Sequence, residues 1–200
     1  MFFRPRPQIA LAVLFVSTAI PAFSQVGPEG RGGGLPLSVG AGVSDYDVDW
    51  GHGRMMGATL WIDAQPVPLP RILNGLGVES EARDISFNRG THTPNYRQDT
   101  AGGGPIYKWR PSRNFDLYVK GLMGLASMDF ISATPNYTHD TRTFVGMGGG
   151  LEYRAFRSLW VRADYEYQIW ASLMNGIPDP QGFTVGAMYN FRNPRARPRY

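Results

Sequence analysis

Three patterns in the 200-residue sequence predict an all-β fold, an eight-stranded antiparallel up-and-down transmembrane β-barrel. Eight segments alternate apolar and polar residues with a period of two, which places the two kinds of side chain on opposite faces of a strand. The connections between these segments mostly alternate between long and short. The chain also contains 25 glycines and 16 prolines, which disfavour a helical bundle. Because Cys is absent, disulfide frameworks and thiolate sites are excluded.

The first 24 residues predict a cleaved signal peptide. Arg4 and Arg6 precede the apolar run 9–20, and small residues occupy positions 22 and 24. A run of 12 residues is short for a spanning helix, which needs ~20, although an uncleaved anchor or a buried helix stays open. Cleavage lowers the formal net charge from +4 to +2, because Arg4 and Arg6 are removed. We therefore expect an exported protein with no nucleic-acid partner.

The first three strands are predicted at 37–44, 56–63 and 76–83. In the first, apolar residues alternate with Ser and Gly, and in the second they alternate with Gly57, Thr59, Trp61 and Asp63. In the third, Glu79, Glu81 and Arg83 share one face.

The next three strands are predicted at 100–109, 115–125 and 145–154. The first of them is the least regular, because Gly102–Pro105 interrupts the alternation. The second places Tyr118 and Lys120 opposite its apolar residues, and the third does the same with Glu152 and Arg154.

The last two strands are predicted at 159–169 and 183–191. The first of these has the strongest pattern, since Arg162, Asp164, Glu166 and Gln168 follow one another on a single face. On a helix the same residues would spread charge over the whole circumference, so a strand is favoured.

The connections have unequal lengths. Long polar ones are predicted at 45–53, 84–98, 129–142 and 171–181, and short ones at 110–114 and 155–158. The connection 65–74 is longer, contains three prolines and is compatible with a helical turn. Short turns at one end and long loops at the other are typical of outer-membrane barrels.

The alternation alone does not decide which face of the strands contacts lipid. A soluble barrel, with its charged residues on a solvated outer face, is the alternative interpretation. Aromatic residues near the strand ends of the apolar face favour the membrane barrel, as do glycines beside the charges. Charges of both signs could then pair inside the lumen. The predicted lumen charge network comprises Glu79, Glu81, Arg83, Lys120, Glu152, Arg154, Arg162, Asp164 and Glu166.

Eight strands enclose an interior just wide enough for side chains. We expect Trp61, Tyr118, Arg154, Trp160 and Arg162 to fill it and to leave no wide aqueous channel. A narrow pore for small solutes is the alternative.

The end of the last strand resembles the C-terminal assembly signal of bacterial outer-membrane barrels, through Thr184, Gly186, Tyr189 and Phe191. Together with segments 148–154 and 160–167, it makes residues 35–191 similar to the small OmpA-like and opacity-protein-like barrel domain. The resemblance implies a barrel in the lipid bilayer of the bacterial outer membrane, inserted by the barrel assembly machinery. The expected domain plan is a signal peptide (1–24), a linker (25–34), the barrel (35–191) and a basic tail (192–200).

An eight-residue pattern, TPNYxxDT, occurs at 93–100 and at 134–141 with six identities. Each copy ends a predicted long loop and enters a strand. The pattern indicates a duplicated hairpin with a shared turn signal, since Pro and Asn are turn residues. Two matching loops that bind one ligand are the alternative.

No motif indicates catalysis, so we expect a structural or surface-interaction role, no enzyme activity, no cofactor and no metal. His52, His92 and His139 fall in predicted outer loops. A metal site formed by His92 and His139 with Asp99 or Asp140 is an alternative, but its spacing across loops has no ligand pattern. A lipid-modifying enzyme is a further alternative. It would require residues such as Ser127, Ser132, His139 and Asp140 to meet at the outer rim.

The outer loops are candidates for contact with an extracellular ligand. The surface-loop candidates are His92, Tyr96, Tyr137 and His139. Tyr46, Trp50 and Trp170 either join them in recognition or belong to an aromatic girdle at the membrane interface.

Overall fold

A closed barrel of eight antiparallel strands forms the described part of the chain. The computed structural model describes residues 37–49, 53–65, 73–88, 96–129, 139–171 and 178–191. The strands are β1 (Leu37–Asp47), β2 (Arg54–Ala64), β3 (Leu76–Asn88), β4 (Arg97–Trp109), β5 (Phe115–Asp129), β6 (His139–Arg154), β7 (Leu159–Trp170) and β8 (Gln181–Asn190). Each pairs with its sequence neighbours, and β1 pairs with β8, which closes the sheet. The predicted all-β, up-and-down fold is confirmed.

No helix in the described part of the chain is long and apolar enough to cross a membrane.

Side chains alternate between the lumen and the outer surface. Along β7, Arg162, Glu166 and Gln168 are fully buried, whereas Val161 and Ile169 are 40% and 51% exposed on the outside. The outward apolar side chains of the other strands are similarly exposed, including Val119, Met123 and Met147. A soluble barrel would show the opposite facing. The sequence prediction of an apolar exterior around a charged lumen is therefore confirmed.

The strands extend further than predicted at the end of the barrel that carries the connections after β1, β3, β5 and β7, here named the loop end. The predicted loops 84–98 and 129–142 shrink to 89–96 and 130–138. Polar side chains continue the ladder there, because Arg97 Nη2 lies 2.7 Å from Asp84 Oδ2 on the neighbouring strand. Polar residues at the loop end therefore belong to strands, although their polarity predicted loops.

The opposite end, here named the turn end, carries two short connections, 110–114 and 155–158. The third connection, 65–75, has eleven residues and is longer than the other two, as predicted. Leu73 lies in 3₁₀ conformation just before β3, and residues 66–72 lie outside the described ones.

The two TPNYxxDT copies enter the barrel on opposite faces. Asp99 and Asp140 occupy the same position of the pattern, but Asp99 lies on the outer face of β4 and Asp140 on the inner face of β6. Even-numbered residues face the lumen in both β4 and β6, so two copies that start 41 residues apart present equivalent positions to opposite faces. The shared pattern therefore does not give the two strands a shared side-chain arrangement.

Candidate functional site in the barrel lumen

The lumen contains a dense set of buried charges, here named the lumen network. Within the described residues, seven carboxylates and four cations are buried. They are Asp63, Glu79, Glu81, Asp116, Glu152, Asp164, Glu166, Arg83, Lys108, Lys120 and Arg162. Their positions follow from the two-residue alternation, which points each of them inward.

Lys120 lies at the centre of the lumen network. Its Nζ atom is 2.5 Å from Glu81 Oε2, 2.8 Å from Glu166 Oε2 and 3.2 Å from Glu79 Oε1. Lys120 belongs to β5, whereas its partners belong to β3 and β7, which are not adjacent to β5. The ion pairs therefore cross the lumen. Arg83 extends them towards the loop end through Glu81 and Glu166.

Arg162 forms a second centre, nearer the turn end. Its Nη1 atom is 2.7 Å from Glu79 Oε2, and its Nε atom donates to the Tyr118 hydroxyl at 2.6 Å. The guanidinium carbon lies 4.4 Å from the ring centroid of Tyr118 and 4.9 Å from that of Trp61. Arginine can thus combine ion pairing with contacts to aromatic faces.

Glycines make room for Trp61 inside the barrel. A Cβ atom at Gly186 would lie 2.6 Å from the Trp61 ring, and one at Gly40 would also collide with it. This agrees with the prediction that glycines on the charged face accommodate large inward side chains.

Lys108 bridges two carboxylates at the turn end. Its Nζ atom lies 2.7 Å from Asp63 Oδ2 and 2.6 Å from Glu152 Oε1. The cavity that these groups line has a volume of about 20 Å³, which is room for about one water molecule.

Apolar side chains fill the lumen at the loop end, and we name them the apolar layer. One part comprises Tyr46, Val48, Met55 and Ile85, and the other comprises Leu122, Ala126, Met128, Phe144 and Trp170. Tyr96 is half-buried and packs against both parts.

Tyr46 and Trp170 were predicted to lie either in recognition loops or in the aromatic girdle at the membrane interface. Both alternatives are wrong for both residues. Each belongs to a strand and faces inward with almost no exposed surface. The Arg83 guanidinium carbon lies 4.1 Å from the Tyr46 ring centroid, and Trp170 Nε1 donates to Gln168 Oε1 at 2.9 Å.

Eight of the nine residues predicted for the lumen charge network lie in the lumen. Arg154 does not, because β6 ends there. Its guanidinium donates instead to the carbonyl oxygens of Phe156 and Arg157, at 3.3 and 3.1 Å. The prediction omitted Asp63, Lys108 and Asp116, although each lies on the polar face of its strand.

His139 is the first residue of β6, so its predicted place in a loop is wrong. Its Nδ1 atom lies 2.7 Å from Asp129 Oδ1 across the β5–β6 pair. Asp140, the expected neighbour of His139, instead accepts a hydrogen bond from Arg142 at 3.0 Å. His52, His92, Trp50, Ser132 and Tyr137 lie outside the described residues. The described residues contain no cluster of three or more His, Cys, Asp or Glu arranged for a metal ion.

The four residues of the C-terminal resemblance divide between the two faces of the barrel. Thr184 is buried in the lumen, where its hydroxyl lies 2.8 Å from that of Ser44, and Gly186 lies against Trp61. Tyr189 and Phe191 are exposed outside and form an edge-to-face pair with centroids 4.9 Å apart.

Comparison with known proteins identifies the barrel. A model of the outer membrane protein beta-barrel domain matches residues 9–191. The fold is similar to that of Neisserial surface protein A (NspA), with a TM-score of 0.59 and 16% identity over 80% of this chain and 100% of that one. It is also similar to Ail, the attachment invasion locus protein of Yersinia pestis, in complex with the heparin analogue sucrose octasulfate, with a TM-score of 0.51 and 20% identity over 80% and 100% of the two chains. A comparison with curated proteins finds no match.

Proposed function

The chain belongs to the outer membrane protein beta-barrel domain family, and we propose that it is a closed outer-membrane barrel with a structural and surface-interaction role. The cross-lumen contacts of Lys120 with Glu81 and Glu166 support this proposal most directly. They join β5 to β3 and β7 through the middle of the barrel. A solute would have to break several buried ion pairs to pass.

The loop end offers the surface for interaction. In this family architecture the long loops are extracellular and both termini are periplasmic. The apolar layer closes the lumen beneath the loops, which leaves the loops as the part that faces the cell's surroundings. The complex of Ail with a heparin analogue supports a ligand-binding role for a barrel of this fold.

The proposal includes the route to the membrane. Residues 1–24 act as a cleaved export signal, and the Tyr189–Phe191 pair, outward on the final strand, is what the barrel assembly machinery recognises. An exposed aromatic pair at the end of the strand suits recognition from outside the barrel.

Conductance across a planar bilayer tests the closed lumen. We expect the wild-type chain to give no stepwise current in concentrated KCl. The double variant Trp61→Ala/Arg162→Ala, which removes two of the largest fully buried side chains, should give cation-selective steps, because carboxylates outnumber cations in the lumen. Well-resolved steps from the wild-type protein would favour the pore alternative.

A further inference from the structure

Three polar side chains form a hydrogen-bonded chain on the outer surface of β5 and β6. His139 Nδ1 lies 2.7 Å from Asp129 Oδ1, and His139 Nε2 lies 3.2 Å from Thr141 Oγ1. Asp129 and His139 are cross-strand partners, and Thr141 follows His139 by two residues. All three therefore point outward, away from the lumen network.

The group is accessible and lies beside a positive charge. The side chains of Asp129 and His139 are 25% and 36% exposed, and Thr141 is exposed. Arg97 of β4 is the cross-strand partner of Asp129 on its other side.

This order of groups can activate a hydroxyl. A carboxylate on Nδ1 orients an imidazole so that Nε2 can accept the proton of a neighbouring hydroxyl. We propose that Asp129, His139 and Thr141 form a hydrolytic triad on the outer surface of the barrel, which cleaves acyl esters of membrane lipids. This goes beyond the proposed function and departs from the non-catalytic role expected from the sequence.

The height of the triad on the barrel indicates the substrate class. Outward residues of β5 are apolar or glycine from Phe115 to Leu125, a distance of ten residues. Ten residues span roughly 33 Å along a strand, or about 25 Å after the usual tilt, which is the height of the apolar band of such barrels. Thr141 pairs with Ser127, one row beyond Leu125. Its hydroxyl therefore lies at the boundary where acyl chains join their headgroups.

The surface below Thr141 suits acyl chains. Met123 and Val145 are cross-strand partners and are 68% and 56% exposed to the outside. A lipid whose chains pack on these residues would hold its ester linkage at the level of Thr141. Glycerophospholipids and the acylated glycolipids of the outer leaflet share this ester chemistry.

The reaction needs only water as co-reactant. Thr141 Oγ1 attacks the ester carbonyl while its proton passes to His139 Nε2, and the leaving alkoxide takes that proton as its bond to the acyl carbon breaks. Water then gives a proton to His139 as its oxygen attacks the acyl–threonine ester. The proton returns to Thr141 Oγ1 on release of the fatty acid.

Fatty-acid release in detergent–lipid micelles tests the proposal with the full, folded chain. Phosphatidylglycerol and lipid A are supplied in separate arms, and released acids are measured by mass spectrometry. We expect release in at least one arm, and the active arm identifies the lipid class. Thr141→Val and His139→Gln should each lower the rate by about 100-fold or more, as is typical for loss of a general base.

Thr143→Val is the matched control, because Thr143 lies on the same face of β6 one row nearer the membrane centre. It should keep the wild-type rate, and heat-modifiable gel migration should show that all variants are folded. Absence of release from the wild-type protein in both arms, or a Thr141→Val variant as active as Thr143→Val, would overturn the proposal.

Discussion

Individual charged residues in the lumen are tolerated because they are paired with opposite charges. Glu166 contacts Lys120 and Arg83 and also accepts a hydrogen bond from Gln168 at 2.7 Å. An isolated buried charge would be very costly, whereas charges that are paired and hydrogen-bonded compensate one another. The free-energy cost of a buried charge therefore becomes measurable when its partner is removed.

Lys120→Met should destabilise the barrel by about 3–5 kcal/mol, because it removes one of the two cations that the buried carboxylates Glu81 and Glu166 share. The free energy of unfolding can be measured by urea titration in lipid vesicles, with tryptophan fluorescence as the signal.

Arg54→Met provides the control, since Arg54 pairs with Asp45 at the surface, where their side chains are 43% and 25% exposed. This change should cost about 1 kcal/mol or less. Equal losses from the two variants would mean that the central ion pairs contribute no more than a surface pair.

At the scale of the strands, sequence alternation predicted the existence, order and facing of all eight elements. It did so because a half-buried strand has a fixed period of two. The strand ends were not predictable, since residues such as Asp84, Arg97 and Asp129 have the polarity of loop residues but pair across strands. The sequence also did not show which buried charges pair with each other, because the pairing depends on the relative stagger of strands that are not adjacent.

Val185→Arg should impair insertion. Val185 is 56% exposed on the outer face of β8, and arginine on the lipid face near mid-membrane costs about 2–4 kcal/mol. The fraction of protein that shows heat-modifiable gel migration after folding into vesicles reports the effect.

Gln181→Arg is the matched control for this change. Gln181 lies on the same face at the loop end of β8, where the cost falls to about 0–1 kcal/mol. If both variants insert equally well, the outer face of β8 does not meet hydrocarbon.

Two aspartates join the loops that follow β1 and β7, and this contact should depend on pH. The hydrogen bond between the Asp49 and Asp179 carboxyls raises the pKa of Asp49 and lowers the pKa of Asp179. Asp49 therefore stabilises the contact while protonated and loses this contribution as the pH rises through its raised pKa. Asp179 contributes above its ordinary pKa and loses its contribution as the pH falls through its lowered pKa.

The hydrogen bond between the two carboxyls should be strongest at acidic pH values between these two pKa values, and it should be weaker at neutral pH. The backbone N–H of Asp179 donates to Asp49 Oδ2 at 3.3 Å. The hydrogen-exchange protection factor of this N–H group therefore measures how firmly the two loops are held together. Asp49→Asn should keep the contact at neutral pH, because an amide can donate to Asp179. A protection factor that stays constant with pH in the wild-type protein would show that the carboxyl pair does not control the loops.

At the scale of the whole molecule, the barrel reverses the usual arrangement of a soluble protein. Its apolar side chains form the exterior, and its charges are held inside by ion pairs between opposite walls. An apolar exterior of this extent is typical of a surface in contact with lipid. The proposed lumen closure and the proposed external triad both depend on this arrangement, since one uses the inner face and the other uses the outer face.

Nitroxide scanning of β5 tests this arrangement most directly. The chain has no native Cys, so single cysteines can be introduced and labelled at Val119, Leu122, Met123 and Ala126 in vesicle-inserted protein. We expect frequent collisions with dissolved oxygen and rare collisions with a water-soluble nickel chelate at positions 119 and 123, and rare collisions with both at 122 and 126. Frequent nickel collisions at 119 and 123, or free access of nickel to 122 and 126, would contradict it.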